Sequence, residues 1–73
     1  MDQEINLKIN EFIKNRHEKG ETTSSRHIHI RFGLEIDKIE ECLKQLELEN
    51  QISAYYDSDY QEERYIPKGS NDR

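Results

Sequence analysis

The sequence predicts a mainly α domain with a small terminal β-hairpin: three helices, then two short strands. Three observations lead there. Apolar residues recur at helical spacing over two stretches, from Ile5 to Ile13 and from Ile36 to Leu46. An alternating stretch from Ile52 is followed by the turn material Asp57-Ser58-Asp59 and a second short apolar piece that stops at Pro67. Finally, 73 residues allow one domain at most, and 32% of them are hydrophobic against 37% charged, where an average domain has roughly 45–50% and 25%. The core must be small, on the order of a dozen side chains, and marginal stability or help from a partner chain is expected.

Ile5, Ile9, Phe12 and Ile13 fall at i, i+4, i+7 and i+8, the apolar stripe of a first helix over residues 3–19. Leu7 lies off that stripe, either exposed or against another chain. Gly20 follows Lys19 and supplies a left-handed helix end. Thr22-Thr23-Ser24-Ser25 is a cluster of capping residues, so a short extended piece at 21–23 and an N-cap at Thr23 or Ser24 are expected. Residues 27–31 alternate apolar and polar, which alone reads as a strand; as a helix, Ile28 and Phe32 share a face. Periodicity leaves both open. We read a helix over 24–31 because a glycine breaker and a clear helical stripe come next in the chain. Gly33 sits between the apolar anchors Phe32 and Leu34 and permits a tight turn.

Ile36, Ile39, Leu43 and Leu46 carry a third helix over 36–49, with Glu35 and Asp37 suited to its N-terminal dipole and Asn50 to a left-handed end. Ile52, Ala54 and Tyr56 then share one face of a strand, with Ser53 and Tyr55 on the other. Residues 63–66 form its partner, closed by Pro67. The domain is expected over 1–67, and Lys68 to Arg73 as a disordered polar tail.

The net charge of −5 hides a pattern. Residues 14–31 sum to +3 and hold all three histidines, whereas residues 32–52 sum to −4 and residues 53–66 to −3. One basic segment inside an acidic chain can attract an anion locally if it forms one surface; the plain alternative is a solvated face of mixed sign. No apolar run approaches the roughly 20 residues of a membrane span. Met1-Asp2-Gln3-Glu4 is no signal peptide, and a cytoplasmic protein is expected.

Enzyme chemistry is not expected. The chain is too short for a buried substrate cavity, and no nucleophile–base pair is suggested. Glu40-Glu41 and Glu62-Glu63 are adjacent, so they do not converge, and read as solvated faces. Three glycines could hardly build a phosphate loop. No metal or cofactor is expected: His27 and His29 are i, i+2, which on a helix point about 200° apart, and no tight ligand pairs accompany them. Cys42, the single cysteine, borders the apolar stripe and reads as a small buried hydrophobe, with redox sensing the lesser reading.

The order helix, helix, glycine turn, helix, hairpin resembles a winged helix-turn-helix domain of the small MarR-like and ArsR-like regulators. In those regulators the second helix contributes an Ile and ends in a bulky apolar residue, then Gly, then an apolar residue. Ile28, Phe32, Gly33 and Leu34 occupy those positions. Ile39, Leu43 and Leu46 come next on the recognition helix, Asn50 ends it and Ile52 opens the wing. The match runs from Thr22 to Pro67. Two departures stand out: His29 fills a slot for a small residue and must turn partly outward, and the recognition helix is acidic.

The resemblance implies a dimeric transcriptional regulator that binds duplex DNA. Its contacts would be Ser24, Ser25, Arg26, His27 and Arg31 from the second helix, Ile36, Lys38 and Lys44 from the third, and Tyr60 and Arg64 from the wing. Glu35, Asp37, Glu40 and Glu41 would repel phosphate, so low affinity and steep salt sensitivity are expected. Tyr56 and Tyr65 read as packing residues and Tyr60 as an exposed contact. Two alternatives stay open: a protein-interaction module using the acidic third helix with exposed Ile36, Leu48 and Leu7, and binding of single-stranded nucleic acid through the wing tyrosines.

Overall fold

The structure is a computed structural model in which residues 2–69 are described, save the side chain of Asp2. It has α1 over Asp2–Glu18, α2 over Ser25–Phe32, α3 over Ile36–Leu48, β1 over Ile52–Asp57 and β2 over Glu62–Pro67. These are the three helices and hairpin that the sequence predicts. The starts of α3 and β1 coincide with expectation, and the other helix and strand ends shift by one residue.

Helix ends follow from local chemistry. Gly20, at φ 83°, closes α1 by two bonds: its N–H reaches the His17 carbonyl at 2.9 Å and that of Glu21 reaches Arg16 at 2.9 Å. Asn50, at φ 60°, closes α3 in the same way, through Glu47 at 3.0 Å and from Gln51 to Leu46 at 2.9 Å. Both are Schellman ends, which need a residue that tolerates the left-handed region. Residues 27–31 are helical. Their alternation is overridden because Ser24 caps the helix start and Gly33, at φ 71°, ends it.

Ile9 and Ile13 of α1, Ile28 of α2, Ile39, Cys42, Leu43 and Leu46 of α3 and Ile52 of β1 form the buried core. Phe12 and Phe32 close one side edge to face, with centroids 5.6 Å apart. Asn10 is buried in α1 and its Nδ2 donates to Gln51 Oε1 at 3.2 Å, tying α1 to the turn after α3.

The strands pair antiparallel in the register Ile52 with Pro67 and Asp57 with Glu62. Thr23 adds a bridge on the other side of β2: its N–H donates to the Tyr65 carbonyl at 3.3 Å and its carbonyl accepts the reverse bond at 2.8 Å. The extended piece before α2 is thus a rudimentary third strand. Lys68 still donates to the Gln51 carbonyl at 3.0 Å, so pairing runs one residue into the segment expected to be disordered. Residues 70–73 of that segment lie outside the described residues. Tyr56 departs from expectation. It shares a face with Ile52, but the hairpin runs past the core and leaves it 60% exposed. Tyr65, nearer the base, is half-buried against the core.

Candidate functional site

Helix α2 packs on α3 and reaches β2 through Arg26, but the basic residues expected to face DNA are largely engaged by the protein itself. The centre of this arrangement is Glu62. Its carboxylate accepts from Arg26 Nε at 3.1 Å and Arg26 Nη2 at 2.9 Å, a bidentate pair between α2 and β2. Its Oε2, which takes Arg26 Nη2, also accepts from Arg64 Nε at 2.8 Å, and Arg64 Nη2 lies 2.7 Å from the same oxygen. The two guanidiniums hold the Glu62 carboxyl below the usual range, Arg26 contributing most.

Arg64 also donates from Nη1 to Thr22 Oγ1 at 2.9 Å and lies over the Tyr60 ring at 4.4 Å. It is 7% exposed, so the expected wing cation is a buried bracket. Residues 62 and 64 share a strand face at the i, i+2 spacing, which explains why one carboxylate can hold the other's guanidinium. Arg16 extends the network. Its Nε donates to Thr23 Oγ1 at 3.0 Å, Nη2 to the Thr22 carbonyl at 2.7 Å, and Nη1 lies 3.3 Å from Glu21.

Ser24 and His27 are likewise structural. Ser24 is 1% exposed and serves as the N-cap of α2. His27 Nδ1 accepts the Ser24 backbone N–H at 3.1 Å and lies 2.9 Å from Ser24 Oγ. A backbone N–H only donates, so Nδ1 carries no proton and the ring is neutral. Burial, then the charges of Arg16, Arg26 and Arg64, push the His27 pKa down. His29 does turn outward. Its Nδ1 donates to the Leu34 carbonyl at 2.6 Å and braces the turn at Gly33.

The remaining expected contacts are more open. Ser25 is half-buried at the start of α2. Arg31 is exposed, with its guanidinium 5.4 Å from the Phe32 centroid. Ile36 is 38% exposed at the start of α3. Lys38 lies 3.9 Å from Glu41, and Lys44 is exposed. Tyr60 is exposed at the tip, where Asp57 Oδ1 accepts the Asp59 N–H at 2.9 Å. The outward line of α3 is Asp37, Glu41, Lys44 and Leu48, with Glu40 and Glu47 beside it, all exposed.

Sequence reasoning missed Arg16, Glu21, Thr22 and Glu62 as partners of the basic segment. The Glu62–Arg64 spacing was a readable signal; the approach of Arg16 and Arg26 depends on how α1, α2 and β2 pack. Among the described residues, no three His, Cys, Asp or Glu side chains group as a metal site, and no helix is long and apolar enough to cross a membrane. No protein-family model matches this chain, and no curated protein or solved structure is significantly similar to it.

Proposed function

We propose that this chain is a winged-helix interaction module whose acidic α3 face docks on a basic protein surface. One observation carries the reading: Arg26 and Arg64, two of the cations that a phosphate backbone would draw on, are engaged within the chain, as is Arg16 beside them. Arg26 and Arg64 share Glu62, and Arg16 is held by Glu21, Thr22 and Thr23. What α3 offers outward is Asp37, Glu40, Glu41 and Glu47 against Lys38 and Lys44, with exposed Leu48 as an apolar anchor. Opposite charge steers such a pair together, and the apolar residue supplies the desolvated centre.

Binding of duplex DNA, as a small transcriptional regulator, is the second reading. Lys44 and Arg31 are exposed without an ion pair among the described residues, Ser25 opens α2, and Tyr56 and Tyr60 stand exposed on the hairpin. A regulator would need these to outweigh the carboxylates beside them.

The two readings separate in one titration series. A lysine-rich amphipathic peptide and a mixed-sequence DNA duplex are each titrated at about 50 mM and about 200 mM salt. The module should bind the peptide at the lower salt, lose affinity when Glu40 and Glu41 become Lys, and leave the duplex unbound. Duplex binding that weakens with salt and in Lys44→Ala, with no peptide binding, would overturn the module and establish the regulator.

A further inference from the structure

Away from the α3 face, α1 and α2 enclose an open groove of about 560 Å³, with Leu7, Phe12, Arg31 and Phe32 among its lining. A second hollow of about 370 Å³ shares Phe12 and Arg31 and is walled by Ile30. Leu7 is 64% exposed and Ile30 78%, both large aliphatic side chains that the core does not use. An apolar patch of this kind on a small charged chain calls for a cover.

We infer that a second copy of this chain covers it, the two copies related by a two-fold axis through the α1–α2 face. The charge pattern selects this occupant. The rim carries both signs: Glu4, Lys8 and Glu11 on α1, Arg31 on α2. Glu11 and Arg31 have no ion-pair partner among the described residues, although they line the same groove. A two-fold contact needs one patch to offer both what it gives and what it receives. Here Glu11 of each copy faces Arg31 of the other, while Leu7 and Ile30 fill the two grooves. An acidic peptide would meet Glu4 and Glu11, and a basic one would meet Arg31.

Size agrees. A stable interface takes about 800 Å² from each partner, roughly one-sixth of this chain's 5045 Å². Helix α1 runs for about 25 Å in a molecule whose longest extent is 35 Å, with α2 beside it. This inference uses a different face from the α3 docking surface, so each can fail alone.

Sedimentation of the full chain over a wide concentration range tests it, with circular dichroism confirming that each variant is folded. The wild type should pass from monomer to dimer as concentration rises. Leu7→Glu with Ile30→Glu should remain monomeric while keeping its helical signal, since both side chains lie outside the core. Glu11→Arg and Arg31→Glu should each dissociate at least tenfold more readily. An equimolar mixture of those two variants should associate again, because the mixed dimer has both pairs complementary. A wild type that stays monomeric at about 100 μM, a dimer indifferent to Leu7→Glu with Ile30→Glu, or a mixture that fails to recover would overturn the proposal. Binding of an acidic peptide at Leu7 with no self-association would overturn it in favour of a different occupant.

Discussion

Ser24 and His27 cap α2 together, and their bond depends on protonation. The His27 ring accepts the Ser24 N–H only while Nδ1 is bare. Its folded-state pKa lies below the ordinary histidine value, chiefly through burial. The unfolded chain therefore binds the proton more readily. The cap's contribution is fully present above the unfolded value of about 6.5 and is lost as pH falls through the lower folded value. Thermal melts between pH 7.5 and pH 5 should show a falling melting temperature (about 6.5 being the upper edge of that loss). His27→Gln keeps a neutral acceptor at the third helical position, as in a capping box. It should flatten this dependence, and His27→Ala should cost about 1 kcal/mol at neutral pH. A His27→Gln profile as steep as the wild type would show that the dependence arises elsewhere. Glu62 works with the same sign: its depressed carboxyl contributes stability at neutral pH that disappears in acid.

At the level of the element, the turn between α2 and α3 rests on two residues of different chemistry. Gly33 adopts φ 71°, and its N–H donates to the His29 carbonyl at 2.8 Å. A Cβ there would meet nothing within 4 Å, so a side chain is opposed by backbone conformation rather than by contact. Gly33→Ala should cost about 1–2 kcal/mol, read as a lower denaturant midpoint. Gly33→Asn should cost less, because Asn tolerates the left-handed region, as Asn50 does at the end of α3. Equal losses in the two variants would contradict this account. His29 adds its bond to the Leu34 carbonyl. A residue that looks misplaced in a slot for a small side chain thus holds the next segment of chain.

For the whole molecule, the issue is how few side chains hold it. Among the described residues eight buried side chains make the core cluster, four of them on α3. A chain of this length has a total stability of roughly 4–11 kcal/mol. Leu43, 1% exposed within the core cluster, should lose about 2–5 kcal/mol on truncation to Ala. Urea melts should place Leu43→Ala near the edge of folding, while Leu48→Ala, on the exposed line of α3, should stay within about 0.5 kcal/mol of the wild type. The −5 charge adds self-repulsion to this small core. The network offsets part of it by pairing carboxylates with guanidiniums, Glu62 with Arg26 and Arg64 and Glu21 with Arg16.

Helices α1 and α3, their left-handed ends at Gly20 and Asn50, and the hairpin were legible in the sequence, whereas α2 was readable only from the Gly33 breaker and the stripe that follow it, since its own alternation also fits a strand. The former depend on local spacing and on residues whose backbone preferences act within a few positions. The buried state of Cys42 followed from the same periodicity. Tertiary structure alone decided what the charges do. Arg26 and Arg64 meet Glu62, and Arg16 meets Thr22 and Thr23, only because α1, α2 and β2 are packed together. No period or propensity encodes a contact between residues 26 and 62. The same holds for Tyr56, whose exposure depends on how far the hairpin outruns the core. Local patterning determined which elements form, and packing determined which of their polar groups remain for a partner.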